Sequence, residues 1–377
     1  MRGRGALLAL IVCLIVAAVA VACSTGTQEP RPAPQPAPVT PYEPESPDRP
    51  TLYVSPTGDD TAAGTREAPL RTIARAAEVA RPGTLVRVTA GRYEGGFHTA
   101  ASGTADARIT YRSDPAGAAT VVGSGDEPAW RNSGDYVDIE GFTITGDGVD
   151  GLIEEGSFVR IIGNRISGFE SDCLFTGRSG YTLHDIDVIG NVVHDCGSSA
   201  LDHGIYVSHP GGTVANNIAY GNAGFGIHCW HNCNRLVVSN NLVFDNDEGG
   251  ILIGQGDGPN NGSVEADGFV VSNNLAVNNG EYGIRESGAT GSGNQYINNN
   301  VFGNAVGGID LQTGVETGTV EISPDFVDFR PDGSGDYRLR ASSPMIDAGT
   351  GLGALGVDIT GTPRPRGGGV DIGVYEQ

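Results

Sequence analysis

The chain has 377 residues, with 45 acidic and 23 basic side chains and a formal net charge of −22, so it is strongly acidic and long for one compact globule. All 23 basic residues are arginine, which excludes any mechanism that relies on a lysine base. The acidity argues against nucleic acid as a partner, because phosphate is held by Lys and Arg, and it would repel a polyanionic sugar unless divalent cations or a local Arg cluster intervene.

In chain order, Arg2 and Arg4 precede an apolar run from Ala6 to Ala22 that ends in small residues, the pattern of a secretory signal peptide over residues 1–22. Ala20-Val21-Ala22-Cys23 resembles a bacterial lipobox, which would make Cys23 the lipidated first residue of the mature protein; plain cleavage after Ala22 is the alternative. Residues 23–50 are rich in Pro, Gln, Thr and Glu, cannot bury a core, and read as an extended tether. The expected location is outside the cytoplasm, at the cell surface or in the periplasm, with the membrane reached only through the lipid.

Residues 51–377 read as one elongated domain: a cap over about 51–83, coils over about 84–320 and a closing segment over about 321–377. Thr72 to Ala80 is amphipathic at helical spacing and is stopped by Pro82-Gly83. The coils announce themselves by recurrence. Asn164, Asn191, Asn217, Asn241, Asn274 and Asn300 each follow a short apolar strand, with gaps of 27, 26, 24, 33 and 26 residues. Later in each coil comes a glycine or its stand-in and then a large aliphatic: Cys173-Leu174, Gly204-Ile205, Gly226-Ile227, Gly250-Ile251, Gly283-Ile284 and Gly308-Ile309. A repeat this short, with alternating strands and no helical pattern, predicts a β-solenoid. Asparagine suits its turn, tolerating a left-handed backbone and stacking into an amide ladder.

Tyr53-Val54-Ser55-Pro56-Thr57-Gly58-Asp59-Asp60, the helix, Pro82-Gly83-Thr84 and Gly91-Arg92-Tyr93 resemble the amino-terminal cap of right-handed parallel β-helix proteins of the pectate-lyase superfamily. Ser343 to Gly349 and Val370 to Gly373 are similar to the closing segment of many secreted members. The resemblance implies an all-β, right-handed parallel β-helix. It says little about activity, because this fold carries lyases, epimerases, hydrolases, adhesins and non-enzymes.

In the resembled lyases the outer surface of the third strand of each coil is the floor of the sugar groove. Strand alternation directs the Gly-Ile isoleucines inward and Phe175, Tyr206, His228, Leu252, Arg285 and Asp310 outward, with Ser208, Trp230, Gly254, Ser287 and Gln312 in a second outward column. Glu286 falls in the inward column, which implies a slipped register or a bulge. Six of the seven histidines lie between His184 and His231, and His203, His209, His228 and His231 sit on or beside two consecutive Gly-Ile strands. The long turns from Cys196 to His203 and from Gly254 to Gly268 would wall a cleft there.

This constellation assigns His228 as general base with Tyr206 as its partner, Arg285 as the cation for a substrate carboxylate, and Trp230 as a stacking platform. Asp202, His203, His209, His231 and Asp310 complete the substrate rim. Each has a plainer reading as a surface side chain, and Arg285 could simply pair with Asp310. The cysteines beyond Cys23 are expected in disulfides, preferably Cys173–Cys196 and Cys229–Cys233, although three connectivities are open. Calcium on loop acids such as Asp172, Asp195 or Asp202, or a metal on His203, His228 and Asp202, are the cofactor alternatives. Two functions follow: an enzyme eliminating or epimerising at a uronate of an extracellular polysaccharide, or a surface module that binds glycan without chemistry. Either is expected to work as a monomer.

Overall fold

The computed structural model describes residues 48–177, 182–256 and 265–377. Residues 1–47, including Cys23, and much of the Gly254–Gly268 turn lie outside the described residues. Among those described, no helix is long and apolar enough to cross a membrane.

The chain winds as a right-handed parallel β-helix of about nine turns. The Gly-Ile strands form one nine-stranded parallel sheet, from Phe97–Thr99 to Gly307–Asp310, and the other two strands of each coil merge into a 17-stranded sheet. Register is continuous where the groove was expected: Ile205 pairs with Ile227, Ile251 and Ile284 in turn, and Tyr206 with His228, Leu252 and Arg285. Identical apolar positions therefore stack coil on coil. Ile161, Val188, Val214, Val238 and Val271 form one such row, fully buried, as do the Gly-Ile isoleucines from Ile205 to Ile284.

A short helix, Ile73–Val79, covers the amino-terminal bore with Ile73, Ala76 and Ala77. Thr72 caps it, its hydroxyl accepting the Arg75 N–H at 3.0 Å.

The asparagine ladder runs through Asn164, Asn191, Asn217, Asn241 and Asn274. From Asn191 on, each Oδ1 accepts the previous rung's backbone N–H and side-chain amide at 2.9–3.1 Å. The last rung is Asn299, not Asn300; Asn300 instead donates to Ile322 O and Met345 Sδ. The left-handed backbone also falls one residue earlier than the ladder. Gly163, Gly190, Asn216, Asn240, Asn273 and Asn298 have φ of 50–68°, and the rungs themselves do not.

That left-handed column points outward and clips the closing segment to the coils. Asn216 donates to Val357 O, Asn240 to Asp371 O and Gly373 O, Asn273 to Thr350 O and Asn298 to Ala348 O. Beside it, Phe326, Tyr337, Leu339, Met345 and Ile372 pack on the outward Tyr220, Leu242, Phe244 and Leu275 as a second apolar cluster.

Five residues after each of four rungs lies a second ladder that the periodicity reading passed over. Asn222, Asn246, Asn279 and Asn304 are linked by amide bonds of 2.9 Å. One coil earlier this position is Cys196, whose N–H donates to Asn222 Oδ1 and whose sulfur is bonded to Cys173.

Glu286 neither slips register nor bulges out. It stays inward, opposite Ile253, and its buried carboxylate accepts Asn294 Nδ2, Tyr296 OH and the N–H groups of Gln312, Thr313 and Gly314. Burial works against its charge, but these donors outweigh that and hold its pKa below the usual carboxylate value. It closes the carboxy-terminal bore with hydrogen bonds, much as the helix closes the other end with apolar side chains.

Candidate functional site

The outward face of the Gly-Ile sheet gathers an aromatic cluster. Phe175 and Tyr206 stack at 4.4 Å. His228 stands edge-on to Tyr206 at 4.8 Å and 77°, and Trp230 lies beyond it at 5.6 Å. His231 reaches back to within 5.9 Å of Tyr206. All five are partly exposed. Trp230 lies flat, because the next coil offers Gly254 and Gly256 beneath it: a Cβ on either would fall 2.3 Å from the indole.

His203 was placed at the rim, but it is 3% exposed and forms the back wall. Its ring stacks on His228 at 3.9 Å and 19°, and its Nδ1 accepts the Phe225 N–H at 3.1 Å. Nε2 therefore carries the proton of the neutral ring. Burial pushes its pKa down to about 4. His209, also placed at the rim, is fully buried and likewise pushed down to about 4 by burial. Both are buried although they flank exposed groove positions, so sequence proximity to the groove did not mean access to it.

Asp202 is half-buried and organises that turn. It accepts the N–H groups of Ser198 and Ser199, the Ser199 hydroxyl at 2.8 Å and the Ser171 hydroxyl at 3.3 Å. Burial opposes its charge, yet these bonds hold the carboxyl below its usual value. Its oxygens shape the loop that carries His203.

His228 is half-exposed, but its Nδ1 is buried and has no partner among the described residues. Burial, and then His203 and His231, depress its pKa well below the ordinary histidine value. The ring is neutral at pH 7, free to accept a proton but a weak base until a negative charge comes near it.

Arg285 lies in register two strands from His228, with the buried Leu252 between. It is held by Glu281 at 3.0 Å and Asp310 at 3.6 Å and lies over Tyr282. Both the substrate role and the plain ion pair drew on this residue, and the ion pair is present.

Cys173 and Cys196 are joined; Cys229 and Cys233 are not, and both are buried free thiols. The expected second bridge is absent, and burial first, then the neighbouring Cys229, raise the Cys233 pKa.

The residues do not fit a metal held by His203, His228 and Asp202. Among the described residues no three metal-type side chains share a site. Asp172 accepts the His203 N–H and Asp195 pairs with His194. Stacked face to face, His203 and His228 cannot aim lone pairs at one ion, and the His203 Nδ1 lone pair is already used.

Residues 52–315 match the sequence model of a family described as "Pel9A-like, right handed beta helix region". The crystal structure of pectate lyase Pel9A superposes with a TM-score of 0.65 at 17% identity, over 87% of this chain and 96% of that one. The complex structure of XylC with xylose superposes with a TM-score of 0.56 at 14% identity, over 71% and 68%. At such identities the likeness is one of fold. The uncharacterized protein YwoF of Bacillus subtilis (strain 168) is 46% identical over 61 residues, which span 16% of this chain and 13% of that protein.

Proposed function

Because the chain belongs to the Pel9A-like right-handed β-helix family, we propose that it is a carbohydrate-active protein that abstracts the C5 proton of a uronate in a polysaccharide bound across Tyr206, His228 and Trp230. The observation that carries this reading is the neutral His228, edge-on to Tyr206 at 4.8 Å and beside the flat, half-exposed Trp230. Pyranose rings stack on such indoles through their apolar face. The substrate carboxylate, once beside the imidazole, raises the depressed His228 pKa toward the range where a base is effective.

In elimination His228 takes the C5 proton, the C4–O bond breaks, and the leaving oxygen takes the Tyr206 hydroxyl proton. In epimerisation the C–O bond survives and a proton returns to the opposite face of C5. Arg285 receives the carboxylate by exchanging its longer contact, the one to Asp310 at 3.6 Å.

The second reading, glycan binding without chemistry, is favoured by the same arginine, since Glu281 and Asp310 already neutralise it. Incubation with a panel of polyuronates, with and without calcium, separates the two. New absorbance at 235 nm supports elimination, and C5 inversion seen by NMR supports epimerisation. Retention of glycan with neither product leaves the binding module.

The reading includes a monomer exported and tethered through lipid on Cys23, acting on polymer that reaches the cell surface. Mass spectrometry of the membrane fraction tests it, and an unmodified Cys23 or another mature amino terminus overturns the anchor.

A further inference from the structure

The outward file of side chains on the Gly-Ile sheet is symmetric about Tyr206. The neighbouring strands carry a ring, Phe175 on one side and His228 on the other. The next strands carry an aliphatic, Ile153 and Leu252, and the third an arginine, Arg131 and Arg285. Arg131 points outward because its strand neighbours point in: Trp130 packs against Tyr111 and Phe142, and Asn132 donates to the buried Glu154. Ile153 and Leu252 are covered. The side chains within reach of a ligand are therefore the rings in the centre and one arginine toward each end.

The two arginines are not equivalent. Arg285 is held by Glu281 at 3.0 Å and by Asp310 at 3.6 Å. Arg131 has one ion-pair partner among the described residues, Glu155 at 3.9 Å, which is too long for a hydrogen bond. Its side chain is 39% exposed. Water can serve an exposed guanidinium, so loose holding alone means little. Its place gives it meaning. In a chain with 45 acidic and 23 basic residues, this loosely held, planar fork stands on the groove floor in line with the aromatic rings. Such a fork takes a carboxylate bidentately, a better bond than its long contact with Glu155.

We propose that Arg131 is a distal carboxylate subsite, taking the uronate three sugars along the polymer from the one over Tyr206. The proposal rests on the polyuronate reading of the groove and adds a length requirement to it, whether or not the groove does chemistry. Three strand spacings separate Arg131 from Tyr206, roughly 14 Å at ~4.8 Å per coil, and a pyranose in an extended 1,4-linked chain advances by about one such spacing. Every sugar of a polyuronate carries a carboxylate, whereas a neutral glycan offers Arg131 none. Beyond Arg131 the floor has one more strand, ending on the exposed His98, which is bonded to Ser133 at 2.7 Å.

Affinity electrophoresis in gels containing alginate, polygalacturonate, xylan or dextran first identifies the polymer that slows the wild type. Calorimetric titration with its oligomers, from the disaccharide upward, then tests the subsite. Wild-type affinity should rise in one step of about three- to tenfold, the scale of one exposed charge-assisted pair, when the oligomer first spans from Tyr206 to Arg131. Arg131→Gln should lose that step without a change in Tm. Arg131→Lys should recover part of it, because the charge remains and the fork does not. High salt should shrink the step in the wild type. No step in the wild type, or a step that persists in Arg131→Gln, overturns the subsite; the groove reading stands if Trp230→Ala still loses retention. A loss at every length together with a lowered Tm assigns Arg131 a structural role and overturns the subsite as well. Retention on xylan or dextran alone, or on none of the four polymers, sinks the polyuronate reading itself and the subsite with it.

Discussion

Trp230 lies so close to Gly256 that a β-carbon on the glycine would fall 2.3 Å from the indole Cζ2. The three atoms nearest that missing methyl are all indole atoms, so the bare backbone of one coil sets the tilt of the aromatic platform on the coil before it. Gly256→Ala should therefore lift Trp230 without disturbing the sheet. The chain has two tryptophans and the other, Trp130, is fully buried, so fluorescence reads this site. Emission should shift to the red, acrylamide quenching should rise, and glycan retention should fall toward that of Trp230→Ala. An unshifted spectrum would mean that the contact is absent in solution.

His228→Ala should lower any polyuronate turnover by about a hundred- to ten-thousand-fold, the usual effect of losing a general base. The ring is half-exposed, so the circular dichroism melt should hardly move. A variant that keeps most of its activity would remove His228 from the mechanism without touching the fold.

His203 and His209 are buried and neutral, with folded pKa values of about 4 against 6.5 when unfolded. Between those values the unfolded chain binds the extra protons, so stability is full above pH 6.5 and falls as pH drops toward 4. Each shift corresponds to about 3 kcal/mol. His209→Phe keeps a ring in place, removes one titration and removes a buried Nε2 that has no partner among the described residues. Its urea midpoint should decline less steeply than that of wild type between pH 6.5 and 4. Parallel curves would show that His209 does not stay neutral in the fold.

Asn217 sits at the middle of the first ladder. Its Oδ1 accepts the Asn191 N–H and side-chain amide, and its Nδ2 donates to Val188 O and Asn241 Oδ1. Asn217→Ala strands several buried groups, at about 1–3 kcal/mol for each one left unpaired. Asn222→Ala, in the second ladder, should cost a comparable amount, because it also cuts a bonded row between Cys196 N and Asn246. Denaturant titration compares the two. A near-neutral Asn222→Ala would make the second ladder a by-product of the first.

The solenoid was legible because its geometry dictates residue identity: a ladder rung must both donate and accept, and a stacked row must be apolar, so Asn and Ile recur at the coil period. Misphasing came where that constraint is degenerate. Asn298, Asn299 and Asn300 are consecutive, and composition alone does not say that the middle one takes the bonds from Asn274. Glu286 misled because a carboxylate was assumed to need solvent, whereas six protein donors can replace it. His203 and His209 were misplaced because alternation along a strand says which way a side chain points and nothing about what folds over it.

The left-handed asparagines that face outward also tie the history of the chain to its structure. Asn240 donates to carbonyls of Asp371 and Gly373, some 130 residues further along the chain. A solenoid can otherwise wind as it leaves the ribosome, each coil settling on the one before. Here the central coils are left with open amides and an uncovered outer face until the segment from Ala348 to Gly373 has followed them, doubled back and fastened them. A chain cut before Ala348 would wind the same coils and lack all five of these bonds.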